Sequence, residues 1–143
     1  MALLNFKKTK DQPAPIKDFN GLLSGFSMEI MPRTAEKVES FSNILPKDTL
    51  IYIAHIDGTS IDDMVRTAVR LGNEGFKVMP HFPARIIKDR LTLSDWIDRY
   101  VSEAGVKQAL LLAGGIDTPK GSFDSLRCSY LKLNCSINMV SRI

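Results

Sequence analysis

Short apolar runs alternate with longer amphipathic stretches along this chain. Apolar residues recur at every second position in residues 25–31, and largely apolar runs cover residues 49–54, 76–79 and 106–113. Runs of this length that are rich in β-branched and aromatic residues predict β-strands. The last run is the most apolar, as expected for a buried strand of a parallel sheet.

Stretches with helical periodicity lie between these predicted strands. Thr34 is a plausible N-cap for a helix over residues 35–45, because a threonine side chain can accept a hydrogen bond from the first turn. Thr59 or Ser60 is expected to cap the second helix. Residues 92–95 approximate a capping box and predict the start of a third helix.

The predicted order is strand, helix, strand, helix, strand, helix, strand. Gly105 is the expected C-cap of the third helix and leads into the fourth strand. The unit recurs about every 25–30 residues, which is the size of a βα step, and right-handed crossovers would make the strands parallel. We therefore predict the α/β class, either as an open doubly wound sheet or as the first half of a (β/α)8 barrel. A complete barrel needs about 250 residues, and this chain has 143.

The third strand is followed by an unusual arrangement of prolines. Pro80 and Pro83 flank His81. Because proline has no N–H and cannot continue a central ladder, Pro80 predicts that the strand stops there. His81 would then lie at the carboxyl end of a parallel strand, where α/β proteins bind ligands. A structural, hydrogen-bonded histidine is the alternative interpretation.

Polar residues or glycines accompany the ends of the other three strands. Glu29 lies near the end of the first strand, His55 follows the second, and Asp117 follows the fourth. If Glu29 faces a closed interior, desolvation favours its protonated form and makes it a candidate general acid; an exposed strand face is the alternative. Gly114 and Gly115 would let a ligand approach the backbone closely, or would form a simple turn.

Composition narrows the classes of protein. Hydrophobic residues make up 44% and charged residues 24%, which predicts a folded globular domain. The net charge of +3 lies mostly at the two ends, so we expect no nucleic-acid partner. No apolar run reaches the roughly 18–20 residues of a membrane span, and we expect a cytoplasmic protein without membrane contact. Cys128 and Cys135 are not spaced as zinc ligands, which predicts free thiols and no metal site.

Three motifs together resemble the methylenetetrahydrofolate reductase family over about residues 24–125. They are SMEIMPRT (27–34), VMPHFPAR (78–85) and LLLAGGIDTPKG (110–121), in the order and spacing of the family. The corresponding family runs are Ser-Phe-Glu-Phe-Phe-Pro-Pro, a Pro-His-Leu-Thr-type strand end and Leu-Arg-Gly-Asp-x-Pro. This chain departs from the last run, since glycine replaces the family arginine.

The resemblance implies a flavoprotein with a (β/α)8 barrel. Such an enzyme binds FAD and passes a hydride from NADH or NADPH through the flavin to 5,10-methylenetetrahydrofolate, giving 5-methyltetrahydrofolate. Glu29 would be the acid that helps protonate the folate and open its five-membered ring, and Asp117 would take the place of the family aspartate near folate and flavin. The expected cofactor contacts are His81, His55, Gly114 and Gly115.

The resemblance also implies a division of the chain into three parts. These are an N-terminal arm (1–24), a reductase-like half barrel (25–125) and an atypical C-terminal tail (126–143). A half barrel would expose sheet edges at the first and fourth strands, through which the chain could form homo-oligomers. The alternatives to an active reductase are a truncated relic of one, a non-catalytic folate- or flavin-binding module, and an interaction domain.

Overall fold

A computed structural model describes residues 21, 24–123 and 138–141. The predicted arm lies almost wholly outside the described residues, and of the predicted tail only a short strand is described. The strands are β1 (Ser27–Ile30), β2 (Leu50–Ile53), β3 (Lys77–Pro83), β4 (Gln108–Leu112) and β5 (Asn138–Ser141). The helices are α1 (Pro32–Ala35), α2 (Ile61–Asn73) and α3 (Arg90–Ala104), with 3-10 turns at Phe41–Asn43 and Ala84–Ile86.

The five described strands form one parallel sheet in the order β1-β2-β3-β4-β5. The predicted α/β class with parallel strands and intervening helices is therefore confirmed. Within the described part of the chain the strand order never reverses, whereas a doubly wound sheet is defined by such a reversal. All carboxyl ends of these strands consequently lie along the same edge of the sheet.

The two faces of the sheet carry different residues, because successive side chains of a strand point to opposite faces. One face packs against α2 and α3. Its strand residues in the core cluster are Ile30, Ile51, Ile53, Phe82, Ala109 and Leu111, and the helices contribute Met64, Leu71, Leu93 and Tyr100 among others. Burying an isoleucine, leucine, methionine or phenylalanine side chain contributes about 1.5–3 kcal/mol to the stability of the fold. By the same alternation, the opposite face carries Glu29, Tyr52, Met79, His81 and Leu110.

The prediction that the third strand stops at Pro80 is wrong. β3 continues to Pro83, pairing with β2 over residues 77–80 and with β4 over residues 81–83. Because the neighbouring strands are staggered, Pro80 is the last residue of one ladder and His81 is the first of the other. The missing N–H of Pro80 therefore falls where the strand changes neighbours, and it interrupts neither ladder in its middle.

The predicted helix over residues 35–45 is also wrong. Only the single turn of α1 forms, and it begins at Pro32, a favoured residue at the first helical position. Thr34 lies inside this turn, where its Oγ1 accepts a hydrogen bond from the Met31 N–H (3.1 Å) and donates one to the Met31 carbonyl (2.9 Å). It therefore does not cap a following helix.

Arg70 of α2 and Glu74, the C-cap of α2, hold the irregular connection that replaces this helix. Arg70 donates to backbone carbonyls, those of Ala35 (3.0 Å), Val38 (2.5 Å) and Glu39 (2.9 Å). Oε2 of Glu74 accepts hydrogen bonds from the backbone N–H groups of Phe41 (2.6 Å) and Ser42 (3.1 Å). Arg70 Nε also donates to Glu74 Oε1 at 3.0 Å, so the two side chains act together. Backbone groups that a helix would have satisfied are satisfied here from a distant part of the chain.

The ends of α2 and α3 follow local chemistry. Ser60 caps α2 by accepting a hydrogen bond from the Asp63 N–H at 3.1 Å, as predicted. The predicted start of α3 at residues 92–95 is a turn too late, because Asp89 is the N-cap and accepts from the Thr92 N–H at 2.8 Å. Gly105 is the left-handed C-cap, as predicted (φ 60°). No helix in the described ranges is both long and apolar enough to cross a membrane.

The expected open edge at the fourth strand is not present. β5 pairs in parallel with β4, with Asn138 opposite Gln108 and Ser141 opposite Leu111. β1, in contrast, has a single strand neighbour, β2, in the described sheet. Part of the tail therefore extends the sheet.

Candidate functional site

A cleft of about 710 Å³ lies at the carboxyl ends of β1, β2 and β3. Its polar lining residues are Glu29, Thr34, His55 and His81, and its apolar ones are Ile30, Met31, Ala54, Ile56, Leu110 and Leu112. Binding sites for small molecules commonly have this size and this mixture of an apolar lining with a few polar groups. The cleft brings together three of the predicted site residues, Glu29, His55 and His81.

His81 is a buried polar residue of the cleft, with a side chain that is 8% exposed. Its Nε2 is buried and has no hydrogen-bond partner in the described part of the chain. Glu29 Oε2 lies 3.5 Å from this nitrogen, which is within the range of an ion pair but too far for a good hydrogen bond. Burial lowers the pKa of His81, and the nearby Glu29 carboxylate partly opposes this effect. At neutral pH His81 is therefore an uncharged imidazole.

Glu29 occupies a different environment from the one that the sequence suggested. Its side chain is 60% exposed, so the described residues do not form a closed interior around it. The expectation of a desolvated acid is therefore not met within the described chain. The carboxylate remains well placed to meet a ligand, because it projects from β1 at the rim of the cleft.

His55 lies on the side of the cleft next to α3. Its ring stacks on Trp96 with 4.6 Å between centroids, and its Nε2 lies 3.2 Å from the Thr59 carbonyl oxygen. Because a carbonyl only accepts, Nε2 carries the proton in the neutral ring and Nδ1 is an acceptor. This Nδ1 is buried without a partner among the described residues. Burial lowers the pKa of His55, while the Thr59 hydrogen bond and the charge of Asp57 act to raise it.

The loop after β4 does not bring Asp117 to the cleft. This carboxylate is exposed and is not among the cleft-lining residues. The loop instead packs beside the end of β3, where the Lys120 N–H donates to the Arg85 carbonyl at 2.8 Å and Arg85 Nη1 donates to the Ile116 carbonyl at 3.1 Å. The Lys120 ammonium also pairs with Asp57, whose pKa this hydrogen bond lowers.

The two candidate glycines are not part of the cleft lining either. Gly114 has a φ of +98°, and a Cβ at this position would lie 3.2 Å from the Cβ of Pro83. Its small size thus serves the packing of the loop on β3. Gly115 is exposed, and a Cβ there would meet nothing within 4 Å.

Sequence reasoning missed two residues that shape this cleft. Ala54 is a small lining residue between Glu29 and His81, and Trp96 supports His55 from α3. Neither could be identified from the local pattern, since Trp96 reads as part of an apolar helical stripe. A contact between a strand end and a helix is visible only in three dimensions.

A second cleft, of about 700 Å³, lies at the opposite end of the sheet, near the carboxyl ends of α2 and α3. Its lining includes Lys77, Lys107 and Glu103 but no histidine. It lacks the buried, unpartnered polar atoms that mark the first cleft. The site with the stronger chemical features is therefore the one at the carboxyl ends of the strands.

Neither a metal-binding cluster among the described residues nor a matching family model indicates a function for the cleft. Within residues 21, 24–123 and 138–141, no group of three or more His, Cys, Asp or Glu side chains could hold a metal ion. Cys128 and Cys135 lie outside the described residues. No model of a known protein family matches this sequence.

Proposed function

We propose that this chain binds a flavin in the cleft at the carboxyl ends of β1 to β3, and that it supports the reduction of 5,10-methylenetetrahydrofolate to 5-methyltetrahydrofolate. The observation that carries the proposal is the meeting of Glu29 with His81 in a cleft of ligand size. A solvent-exposed carboxyl group beside a buried, neutral imidazole can combine proton donation with binding of an uncharged ring. The motifs that resemble the reductase family contribute both residues.

The sequential order of parallel strands supports the proposal at the level of the fold. With all crossovers of the same hand, such an order keeps the helices on one face of the sheet and leaves the other face for a barrel interior. Glu29 and His81 lie on that second face. We propose that the described sheet is the first part of a (β/α)8-type barrel.

The buried nitrogen of His55 suits a flavin. His55 Nδ1 lacks a partner among the described residues, and leaving such an atom unsatisfied costs about 1–3 kcal/mol. A flavin ring system combines flat apolar surface with N–H and carbonyl groups, and the apolar residues Leu110 and Leu112 border the same space. His55 would bond the ring through Nδ1, and the imidazole of His81 would contact the ring while its Nε2 faces Glu29. Bound FAD would supply hydride transfer, with NADH or NADPH as the source.

Glu29 would supply the proton. In this proposal its carboxyl group takes a proton from solvent and donates it to a ring nitrogen of the folate, the adjacent carbon–nitrogen bond of the five-membered ring breaks, and Glu29 is left as a carboxylate that solvent protonates again. Its exposure lets it reach a substrate that enters from the solvent side of the cleft. A proton donor at this bond is required because an unprotonated nitrogen is a poor leaving group.

The reductase assay of a single variant tests this role. Glu29→Gln should retain flavin binding and lose at least about 100-fold in the rate of folate reduction, the usual contribution of a general acid. Glu39→Gln is the matched control, because Glu39 is exposed and lies outside the cleft. Full activity of Glu29→Gln would refute the acid role.

A non-catalytic folate- or flavin-binding module is the second candidate function. The exposure of Glu29 and the position of Asp117 outside the cleft favour it. The two functions differ in the wild-type chain itself, since a binding module would take up flavin saturably and show no turnover with a nicotinamide cofactor. Steady-state assays of flavin-loaded protein distinguish them directly.

A further inference from the structure

The contact between Glu29 and His81 spans a strand. Glu29 belongs to β1 and His81 to β3, and β2 lies between them. Since neighbouring strands are about 4.8 Å apart, the two backbones are roughly twice that distance from one another. Their side chains must lean towards each other across β2 to bring Oε2 within 3.5 Å of Nε2.

Ala54 leaves the space for this contact. Its N–H donates to the Ile30 carbonyl at 2.8 Å, so it continues the pairing of β2 with β1. Because Ile53 faces the helices, strand alternation puts Ala54 on the face that carries Glu29 and His81. Ala54 lines the same cleft as they do, two residues beyond Tyr52, the β2 residue paired with Glu29. A larger side chain at this position would occupy the path from Glu29 to His81.

The protonation of the pair follows from what each atom can accept. An ionised carboxylate only accepts hydrogen bonds, so a proton on Nε2 of the neutral imidazole is favoured on the side facing Glu29. The other titratable side chains near His81 are Tyr52, whose ring centroid is 6.0 Å away, and His55, whose own pKa is lowered by the charge of His81. Glu29 is the one anionic group that the described contacts bring to His81.

We propose that His81 is a positioning residue for Glu29, holding its carboxylate over the cleft across the gap that Ala54 provides. This inference rests on the proposed function, because it assigns a partner to the proposed acid. When Glu29 gives its proton to the folate nitrogen, the carboxylate that remains accepts the N–H of His81. No further reactant is needed, since the proton lost by Glu29 is the proton gained by the substrate.

The titration of two histidines tests the pair without any ligand. The chain contains only His55 and His81, so ring resonances of labelled histidine can be assigned with a His81→Asn variant. In Glu29→Gln the pKa of His81 should shift further downward, because the carboxylate that opposes the effect of burial is gone. The pKa of His55 should stay where it is. Glu39→Gln should change neither, and an unchanged His81 titration in Glu29→Gln would overturn the pair.

Substitution of Ala54 tests the geometry. Ala54→Val should push Glu29 away and shift the pKa of His81 in the same direction as Glu29→Gln does. Ala54→Gly, which keeps the gap open, should leave His81 as in the wild type. If Ala54→Val fails to fold, the comparison of Glu29→Gln with Glu39→Gln still decides whether the pair exists.

The pH profile of folate reduction tests the positioning role itself. His81→Asn should change the pH dependence of the rate and lower the maximal rate more than it raises the Michaelis constant. A Glu29→Gln variant without activity, together with a His81→Asn variant whose pH profile matches the wild type, would overturn the positioning role and leave the proposed function intact. Conversely, a flavin-loaded wild type without reductase activity would refute the proposed function, and the positioning role that rests on it, even if the two side chains titrate as a pair.

Discussion

The imidazole of His55 stacks on the indole of Trp96, with 4.6 Å between ring centroids and 34° between ring planes. The contact joins the end of β2 to α3 and forms one side of the cleft. Trp96 is the sole tryptophan of the chain. Its fluorescence therefore reports on the surroundings of this contact.

The first prediction concerns this fluorescence. Burial lowers the pKa of His55, so its ring is neutral at pH 7 and becomes a cation only below its ordinary value of 6.5. A cationic imidazole accepts an electron from the excited indole more readily than a neutral one. The emission of Trp96 should therefore fall as the solution is acidified while the protein remains folded. His55→Gln should flatten this response, and a wild-type emission independent of pH would contradict the stacking.

The second prediction concerns stability against pH. Burial lowers the pKa of both His55 and His81 in the folded state, and Glu29 only partly offsets this at His81. The unfolded chain therefore binds more protons just below pH 6.5, and the free energy of unfolding must decrease as the pH falls through this range. The stability that the two neutral rings contribute is fully present at pH values above the histidine pKa of the unfolded chain.

Urea unfolding at about pH 7.5 and at about pH 5.5 measures this dependence. The double variant His55→Gln, His81→Gln should show a smaller loss of stability between the two conditions. A wild-type protein that becomes more stable on acidification would contradict the assigned burial of the two rings.

The third prediction concerns Arg70 and Glu74. Arg70 replaces helix hydrogen bonds for three carbonyls of the connection after α1, and its side chain is 32% exposed. Hydrogen bonds from a charged group contribute about 1.5–3 kcal/mol each when buried, and partial exposure reduces this. Arg70→Ala should therefore lower the free energy of unfolding by about 2–3 kcal/mol.

Arg66 is the matched control for this measurement. It lies one turn earlier on α2, pairs with Asp63 and Glu36, and is 65% exposed. Exposed ion pairs contribute about 0–1 kcal/mol, so Arg66→Ala should change stability little. Equal effects of the two substitutions in urea unfolding would show that Arg70 does not hold the connection.

The fourth prediction concerns Gly121. A Cβ at this position would lie 1.8 Å from the Lys88 carbonyl oxygen and 2.8 Å from that of Ile87. Neither backbone atom can move without disturbing the start of α3, so Gly121→Ala should cost about 1–3 kcal/mol of stability, as overpacking does. Gly115→Ala, which meets nothing within 4 Å, is the control. Thermal unfolding of the two variants measures the difference. Equal unfolding temperatures for Gly121→Ala and Gly115→Ala would contradict the close packing of this loop.

The sequence predicted those parts of the fold that depend on local patterns. The first four strands, the Ser60 cap and the Gly105 cap each follow from residue types within one turn or one strand, whereas β5 was not predicted. The end of β3 could not be predicted from local residue types, because the effect of Pro80 depends on the stagger of β2 and β4. The helix over residues 35–45 failed because its backbone groups are bonded by side chains from α2, more than thirty positions away.

The candidate site was predictable to a similar extent. Parallel strands bring their carboxyl ends together, and this rule alone assembled Glu29, His55 and His81. The rule says nothing about the path of a loop beyond its strand. Asp117 lies outside the cleft, in a loop that is bonded to Arg85 and paired with Asp57 through Lys120.

An equilibrium titration of the purified chain with FAD, followed by the emission of Trp96, is the most direct test of the proposed flavin site. The account predicts saturable quenching with one flavin per chain, and about ten-fold weaker binding by His81→Ala, the loss expected when a contact worth about 1.4 kcal/mol is removed. Asn73→Ala, in the cleft at the opposite end of the sheet, should bind FAD as the wild type does. Quenching that does not saturate, or an affinity that His81→Ala leaves unchanged, would contradict the account.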